Sequence, residues 1–458
     1  MENTNISNEK TSLGFMERLA FGCGDLANNV IYAAISTFLL FYYTDVIGVS
    51  AAAVGTIMLI SRILDCVADL SMGFIVDRTK SKYGKARPWI IRMAIPFAIG
   101  GVLLFSVPTT FSENAKLIYI FLTYNLVSTI IYTSINVPYA TLNALMTQDQ
   151  YERSVLSIFR MILSTVGSMG IAMFTLPVVK FFGNTPRAWT LTFAVFGVVS
   201  VVLFAFTFFG TKERVKPSNT EQVVENIPIK VGISVLFKNK YWAMITIILI
   251  LIFVGMTLNG GATVYYAQTV LGNKELVGTL STAMMASQII CMFLVAGLIK
   301  KFGKRNVMII GSAITVLGYV LIALAGTNVQ LLIAANVIRG IGAAGVGACM
   351  FAMVSDTIEY GEWKTGIRIE GLTNSAASFG FKVGGGLGAA FVGWVLSAGG
   401  YVGGAEVQTA SAILSIKALY IYLPMLITLA QVVILFAYKL DKEYPTILKE
   451  LKERSQAK

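Results

Sequence analysis

Apolar runs of bilayer length, repeated along the whole chain, leave few folds open to it. A helix needs roughly 20 apolar residues to cross the hydrocarbon core. Runs of about that length recur from Leu19 to Tyr43, Ala51 to Val76, Trp89 to Val107, Leu117 to Ala140, Val155 to Val179 and Trp189 to Gly210. After a polar segment, Thr211 to Asn239, they resume: Tyr241 to Val270, Val277 to Ile299, Val307 to Ala325, Val329 to Ser355, Gly371 to Leu396 and Ala410 to Tyr438. The expected fold is an all-α integral membrane protein with twelve transmembrane helices in two six-helix halves. Residues 1–210 and 240–438 form the halves, 211–239 a central loop, and 439–458 a tail whose alternating Lys and Glu predict a short surface helix. Composition agrees: of 458 residues, 56% are apolar and 13% charged, too apolar for one soluble core of this length.

The net charge of +12 would suggest nucleic acid in a soluble protein. Here the cations sit in short loops between apolar runs, where they set topology. Arg18, then Lys80, Lys82, Lys85 and Arg87, the central segment, Lys300, Lys301, Lys304 and Arg305, and the tail fall on one side. The other side has Lys116, Lys180, Arg187 and Lys274. Both termini are therefore expected in the cytoplasm, with the first span acting as an uncleaved signal. The chain has no histidine, which excludes His-based triads and His metal sites, and no nucleophile–base pair or metal cluster is visible. Cys23, Cys66, Cys291 and Cys349 lie within or beside apolar runs without ligand spacing and read as small packing residues.

One span carries charge. Arg62, Asp65 and Asp69 are three and four residues apart, on one helical face. Insertion scales put the cost at roughly 2.5–3.5 kcal/mol per Asp or Arg at the centre of a span, so such residues face a bundle interior or wet cavity and mark an ion or substrate path. The plainer alternative is a salt bridge that only locks two helices, but one carboxylate satisfies one arginine and leaves the other over.

An internal repeat follows. Gly73-x-x-x-Asp77-Arg78 with Gly84-Lys85-x-Arg87 lies between spans two and three; Gly297-x-x-x-Lys301-x-Gly303-Lys304-Arg305 lies between spans eight and nine. Together they resemble the loop signature of the major facilitator superfamily, which places substrate near the midplane between two halves. Phe41-Tyr42-Tyr43-Thr44-Asp45-Val46-Ile47-Gly48, Asp65-x-x-x-Asp69, Gly84-Lys85-x-Arg87-Pro88-Trp89, the stretch Ser355 to Thr373 between spans ten and eleven, and Lys382 are similar to the glycoside–pentoside–hexuronide:cation symporter family.

The resemblance implies secondary active uptake of a glycoside or uronide with a monovalent cation or proton, without a cofactor, a nucleic acid partner or enzymatic activity, in the cell membrane. Carried over by position, Asp65 and Asp69 would bind the cation, with Thr133 as a neutral ligand. Arg160 and Lys382 would line the cavity, and Tyr32 and Tyr132 would either face a sugar ring or simply pack between helices. Two aspartates grip galactosyl hydroxyls in the family's best-known type; here Asn29 and Asn136 stand in their places, which opens the site to uronides or xylosides. These stretches resemble those of glucuronide carriers. Sodium-using members often carry an amide between the paired aspartates where this chain has Ala68, which favours H⁺ over Na⁺. Asp77, Arg78, Lys85 and Arg87 lie past the end of span two and are expected to act in conformational exchange rather than binding. Asp25 either joins the polar site or caps its helix, and Arg339 in span ten has no evident role beyond a helix–helix hydrogen bond. The competing functions are a lipid or lysolipid carrier, which predicts an apolar cavity, and a drug/proton antiporter, which predicts unpaired acidic residues there.

Overall fold

The computed structural model describes residues 13–215, 229–367 and 370–456. Within them the chain is helices and connecting loops. The first half comprises α1 (Phe15–Ala34, continued by π turns at Ile35–Leu39 and Tyr42–Val46), α2 (Ala51–Arg78), α3 (Arg87–Leu104), α4 (Glu113–Met146), α5 (Gln150–Phe181) and α6 (Pro186–Gly210). The second comprises α7 (Lys240–Val270), α8 (Leu276–Phe302), α9 (Lys304–Ala325), α10 (Val329–Thr365), α11 (Glu370–Ala398) and α12 (Ala410–Ala437). Among the described residues, eleven helices are long and apolar enough to cross a bilayer; α1, with Glu17, Arg18 and Asp25 in its first half, is the twelfth.

Side-chain caps start several of these rods. Thr185, Asn239, Asn328 and Thr409 each accept a hydrogen bond from a backbone N–H in the first turn of α6, α7, α10 and α12, the usual way to satisfy donors that have no intrahelical partner. Three stretches differ from expectation. The helix of α10 runs past Ser355 to Thr365, because nothing interrupts its hydrogen bonding until Gly366 adopts a left-handed conformation and donates to the Glu362 carbonyl (2.8 Å). The central segment holds a short helix, Ile229–Lys238, just before α7. The tail helix α13 (Leu440–Gln456) buries Leu440 and Ile447 and accepts a hydrogen bond at Glu450 from the Trp363 indole (2.6 Å), so it docks on α10 rather than lying free on the surface.

The repeated loops form matching devices. Gly84, at φ +104°, frees a row of backbone donors: Lys85, Ala86 and Arg87 N–H all reach the Glu213 carboxylate (2.8, 2.9 and 3.0 Å), and Arg87 donates to the Phe208 carbonyl at the end of α6. A carboxylate at a helix N-terminus is favoured by the helix dipole. In the second half Arg305 N–H donates to Asp441 (2.8 Å), and its guanidinium to the Leu435 and Phe436 carbonyls at the end of α12. The same five-residue interval separates Phe208 from Glu213 and Phe436 from Asp441.

The halves meet along α2–α11 and α5–α8. Gly393 of α11 lies so close to α2 that a Cβ there would sit 2.2 Å from the Ala51 carbonyl oxygen. Polar ties join the halves at the end of the bundle opposite the termini, the far end. Thr44 and Tyr265 share a hydrogen bond (2.8 Å); Asp45 accepts from the Tyr401 hydroxyl (2.7 Å), the Gly404 N–H (3.3 Å) and Gln268 (3.4 Å); Lys180 pairs with Glu275. At the end bearing the termini, Arg18–Glu152, Arg214–Glu17 and Lys304–Asp356 each pair within one half. The bundle is closed at its far end.

Candidate functional site

The charged face of α2 meets α4 of its own half and α11 of the other. Arg62 donates to Asp65 Oδ2 (2.8 Å) and to the Tyr124 hydroxyl (2.5 Å). Thr129 donates to Asp65 Oδ1, and Thr133, one turn further along α4, to Asp69 Oδ1 (3.2 Å). The remaining oxygen, Asp69 Oδ2, takes the ammonium of Lys382, which also donates to the Asp65 backbone carbonyl (3.1 Å). Each of the four carboxylate oxygens thus has its own donor, and one donor crosses between halves. Asp65 is buried, whereas the Asp69 side chain is 36% exposed and Lys382 14%. Asp65, Asp69, Thr133 and Lys382 therefore converge. Thr129 was not singled out from sequence, although it lies four residues before Thr133; Arg62 pairs with Asp65, and Lys382 with Asp69.

The other expected binding residues divide into smaller groups. Asn29 is engaged between α1 and α5: its amide donates to Ser164 Oγ (2.7 Å) and the Asp25 carbonyl (2.9 Å), and its oxygen accepts from Ser168 (3.2 Å). Asp25 accepts from Arg160 (3.1 Å), whose guanidinium lies 5.1 Å from the Tyr139 ring centroid. Asp25 is no cap, since α1 begins ten residues earlier at Phe15. Tyr32 and Tyr132 stack on one another (5.0 Å, 20°). Asn136 is half-buried on α4 and makes no hydrogen bond to the described residues. Of the loop residues, Arg78 ends α2 exposed, and Lys85 and Arg87 belong to the loop that binds Glu213. The Asp77 side chain lies outside the described residues.

Two cavities flank the crossing of α1 and α7. A small one of about 40 Å³ touches Tyr32, Arg62 and Tyr124, with Ser36 and Gly261 on its wall. A larger one of about 550 Å³ begins at the adjoining Thr37 and Gly260 and extends between α5 and the second half, past Asn259, Gln288, Arg339 and Gln431. A drug-sized ligand needs a pocket of roughly this size. None of the residues expected from sequence to hold the sugar lines the large cavity.

Two helical halves, tied at one end around an internal charged site and a cavity, have the architecture of a membrane transporter. Over nearly its whole length the chain is similar to solved transporters: it superposes on the crystal structure of nucleoside transporter NupG with a TM-score of 0.63 at 14% identity, covering 92% of this chain and 100% of that one. The family model described as MFS/sugar transport protein matches residues 20–442, and the chain belongs to that family. Its relatives include the isoprimeverose transporter of Lactiplantibacillus pentosus, 32% identical, covering 97% of this chain and 93% of that one. Another is the glucuronide carrier protein homolog of Escherichia coli (strain K12), 31% identical, covering 96% and 95%. The resemblance to the glycoside–pentoside–hexuronide:cation symporters is thereby borne out.

Proposed function

We propose that this protein takes up a glycoside or uronide by symport with a proton, using Asp69 and Asp65 as the coupling carboxylates. The observation that carries this reading is the Lys382–Asp69 contact, because it joins α11 of one half to α2 of the other at the charged site. The lysine ammonium and a coupling cation would compete for the same Asp69 oxygen. A proton arriving on Asp69 cancels its charge and frees Lys382, and the tie between the halves loosens. A proton rather than sodium is favoured by Ala68, which stands where sodium-using members of the family often carry an amide. The names of the relatives support a sugar cargo.

With both termini in the cytoplasm of a cell whose plasma membrane holds the protein, the closed far end faces outward and this conformation delivers substrate inward. Arg78, Lys85 and Arg87, with Asp77, serve the exchange between states; Asn29, Asn136, Tyr32, Tyr132 and Arg160 are assigned to the sugar path of the first half on the resemblance. A lipid-like cargo is the second reading, favoured by methionines such as Met161, Met256 and Met284 on the large cavity and opposed by its Asn259, Gln288 and Gln431. The test is uptake of a labelled glycoside panel, with and without Na⁺ and with an uncoupler, by wild type and Asp69→Asn. Accumulation abolished by the uncoupler, indifferent to Na⁺ and lost in Asp69→Asn is expected. Normal accumulation by Asp69→Asn overturns the coupling assignment, and uptake of none of the sugars overturns the cargo.

A further inference from the structure

Among the described residues, Arg339 of α10 is the one charged residue at the wall of the large cavity, and no carboxylate answers it. It is fully buried. Its guanidinium lies between two aromatic rings, 4.3 Å from the centroid of Tyr319 and 5.6 Å from that of Tyr420. Nη1 donates to Asn336 Oδ1 (2.9 Å) and Nη2 to the Tyr319 hydroxyl (3.3 Å), while Nε is buried without an acceptor. Gly318 makes room for the stem, since a Cβ there would meet Arg339 Cγ at 2.4 Å. Asn259, on the same cavity, also has a buried amide nitrogen without a partner. Neutral acceptors and ring faces orient this cation but leave its charge unbalanced in a low-dielectric site, a costly arrangement unless an anion joins it. Guanidinium is the side chain best shaped to grip a carboxylate, through two parallel N–H donors.

We infer that the large cavity is an anion subsite of the substrate path, in which Arg339 takes the carboxylate of a uronic acid sugar while the amides of Asn259, Gln288 and Gln431 face its hydroxyls. This rests on the sugar-uptake reading and narrows its substrate class to uronides. The subsite belongs to the second half, and the coupling carboxylates to the first, so an anionic sugar would touch both moving bodies. It lies across the α1–α7 wall from Arg62 and Tyr124, where Thr37 and Gly260 adjoin Ser36 and Gly261.

The decisive variant is Asn336→Asp. It is nearly isosteric and hands Arg339 an internal carboxylate at the position that already accepts its Nη1. Equilibrium binding of p-nitrophenyl glucuronide and p-nitrophenyl xyloside to the purified full-length protein is compared for wild type, Asn336→Asp and Arg339→Gln. Wild type is expected to prefer the glucuronide. In both variants the glucuronide-to-xyloside affinity ratio should fall about tenfold or more, as losing a charge-assisted hydrogen bond implies. A merely structural arginine predicts otherwise: Asn336→Asp would keep the ratio and melt no lower than wild type. An unchanged ratio in folded Asn336→Asp overturns the inference whether or not Arg339→Gln folds. Wild type that binds and accumulates the xyloside but not the glucuronide sinks the uronide subsite and leaves the symporter reading standing. Wild type that takes neither sugar sinks both.

Discussion

Replacing Lys382 with methionine keeps most of the side chain's length and removes the one cation that bridges α11 to the Asp69 carboxylate. The ammonium makes two hydrogen bonds here, one to that carboxylate and one to the Asp65 carbonyl. A hydrogen bond to a charged partner contributes about 1.5–3 kcal/mol when buried, against roughly 0.2–1 kcal/mol for a solvent-exposed ion pair. With Lys382 largely enclosed and Asp69 36% exposed, the coupling between them falls in between, at about 1–2 kcal/mol. The assay is a double-mutant cycle on stability in detergent, comparing Lys382→Met, Asp69→Asn and the double variant with wild type. Each single variant leaves a lone charge inside the bundle, so each should be destabilised, and the double variant should recover part of the loss. The same samples reconstituted into vesicles should lose uphill accumulation wherever Asp69 is changed. Two single losses that add within about 0.5 kcal/mol, the ordinary tolerance for independent sites, would refute the pairing as a tie between the halves.

Glu213→Ala removes the acceptor for three backbone donors at the start of α3 and should destabilise by about 1–2 kcal/mol, as the loss of a helix cap does; an unchanged melting temperature would contradict this. Gly393→Leu places a side chain where even a Cβ would lie 2.2 Å from the Ala51 carbonyl. The far end should then fail to close, transport should fall, and a cysteine introduced by Gln268→Cys should react faster with an impermeant thiol reagent; unaltered uptake and labelling would count against this packing. Lys180 hydrogen-bonds to Glu275 and holds its carboxyl below the usual carboxylate range. A depressed pKa makes that tie complete at and above the ordinary range, with loss only as pH falls through the lowered value. Any pH dependence of uptake between about pH 5 and 8 therefore arises elsewhere, and Glu275→Gln should leave that profile unchanged.

The spans were legible because lipid demands helices of a fixed minimum length, although α1, with Glu17, Arg18 and Asp25, falls outside the eleven that length and apolarity pick out. Their ends were less legible. The apolar pattern of α10 fades near Ser355, yet its backbone bonding continues through polar residues as far as Gly366, so hydropathy marks where the lipid requirement ends rather than where the helix does. Within α2, the shared face of Arg62, Asp65 and Asp69 could be counted from helical spacing. The partner of Asp69 could not, since Lys382 lies 313 residues away and its approach depends on how α2 crosses α11. Thr129 stands four residues before Thr133 as Asp65 stands before Asp69, so the same spacing could have found it; the resemblance supplied Thr133 alone. The cage of Arg339 gathers Tyr319 and Tyr420 from helices on either side of α10 in the chain, and no spacing rule joins them.

The Glu213 and Asp441 devices bear on how the protein is made. Each half supplies, just beyond its sixth helix, the carboxylate that seals the start of its own third helix. Every partner in the first seal lies at or before residue 213, ahead of all of α7 in the order of synthesis. The first half can therefore finish its fastening at the end bearing the termini while the second is still being translated, and the second repeats the operation with its own tail. Biogenesis becomes two rounds of one closure rather than a search among twelve helices.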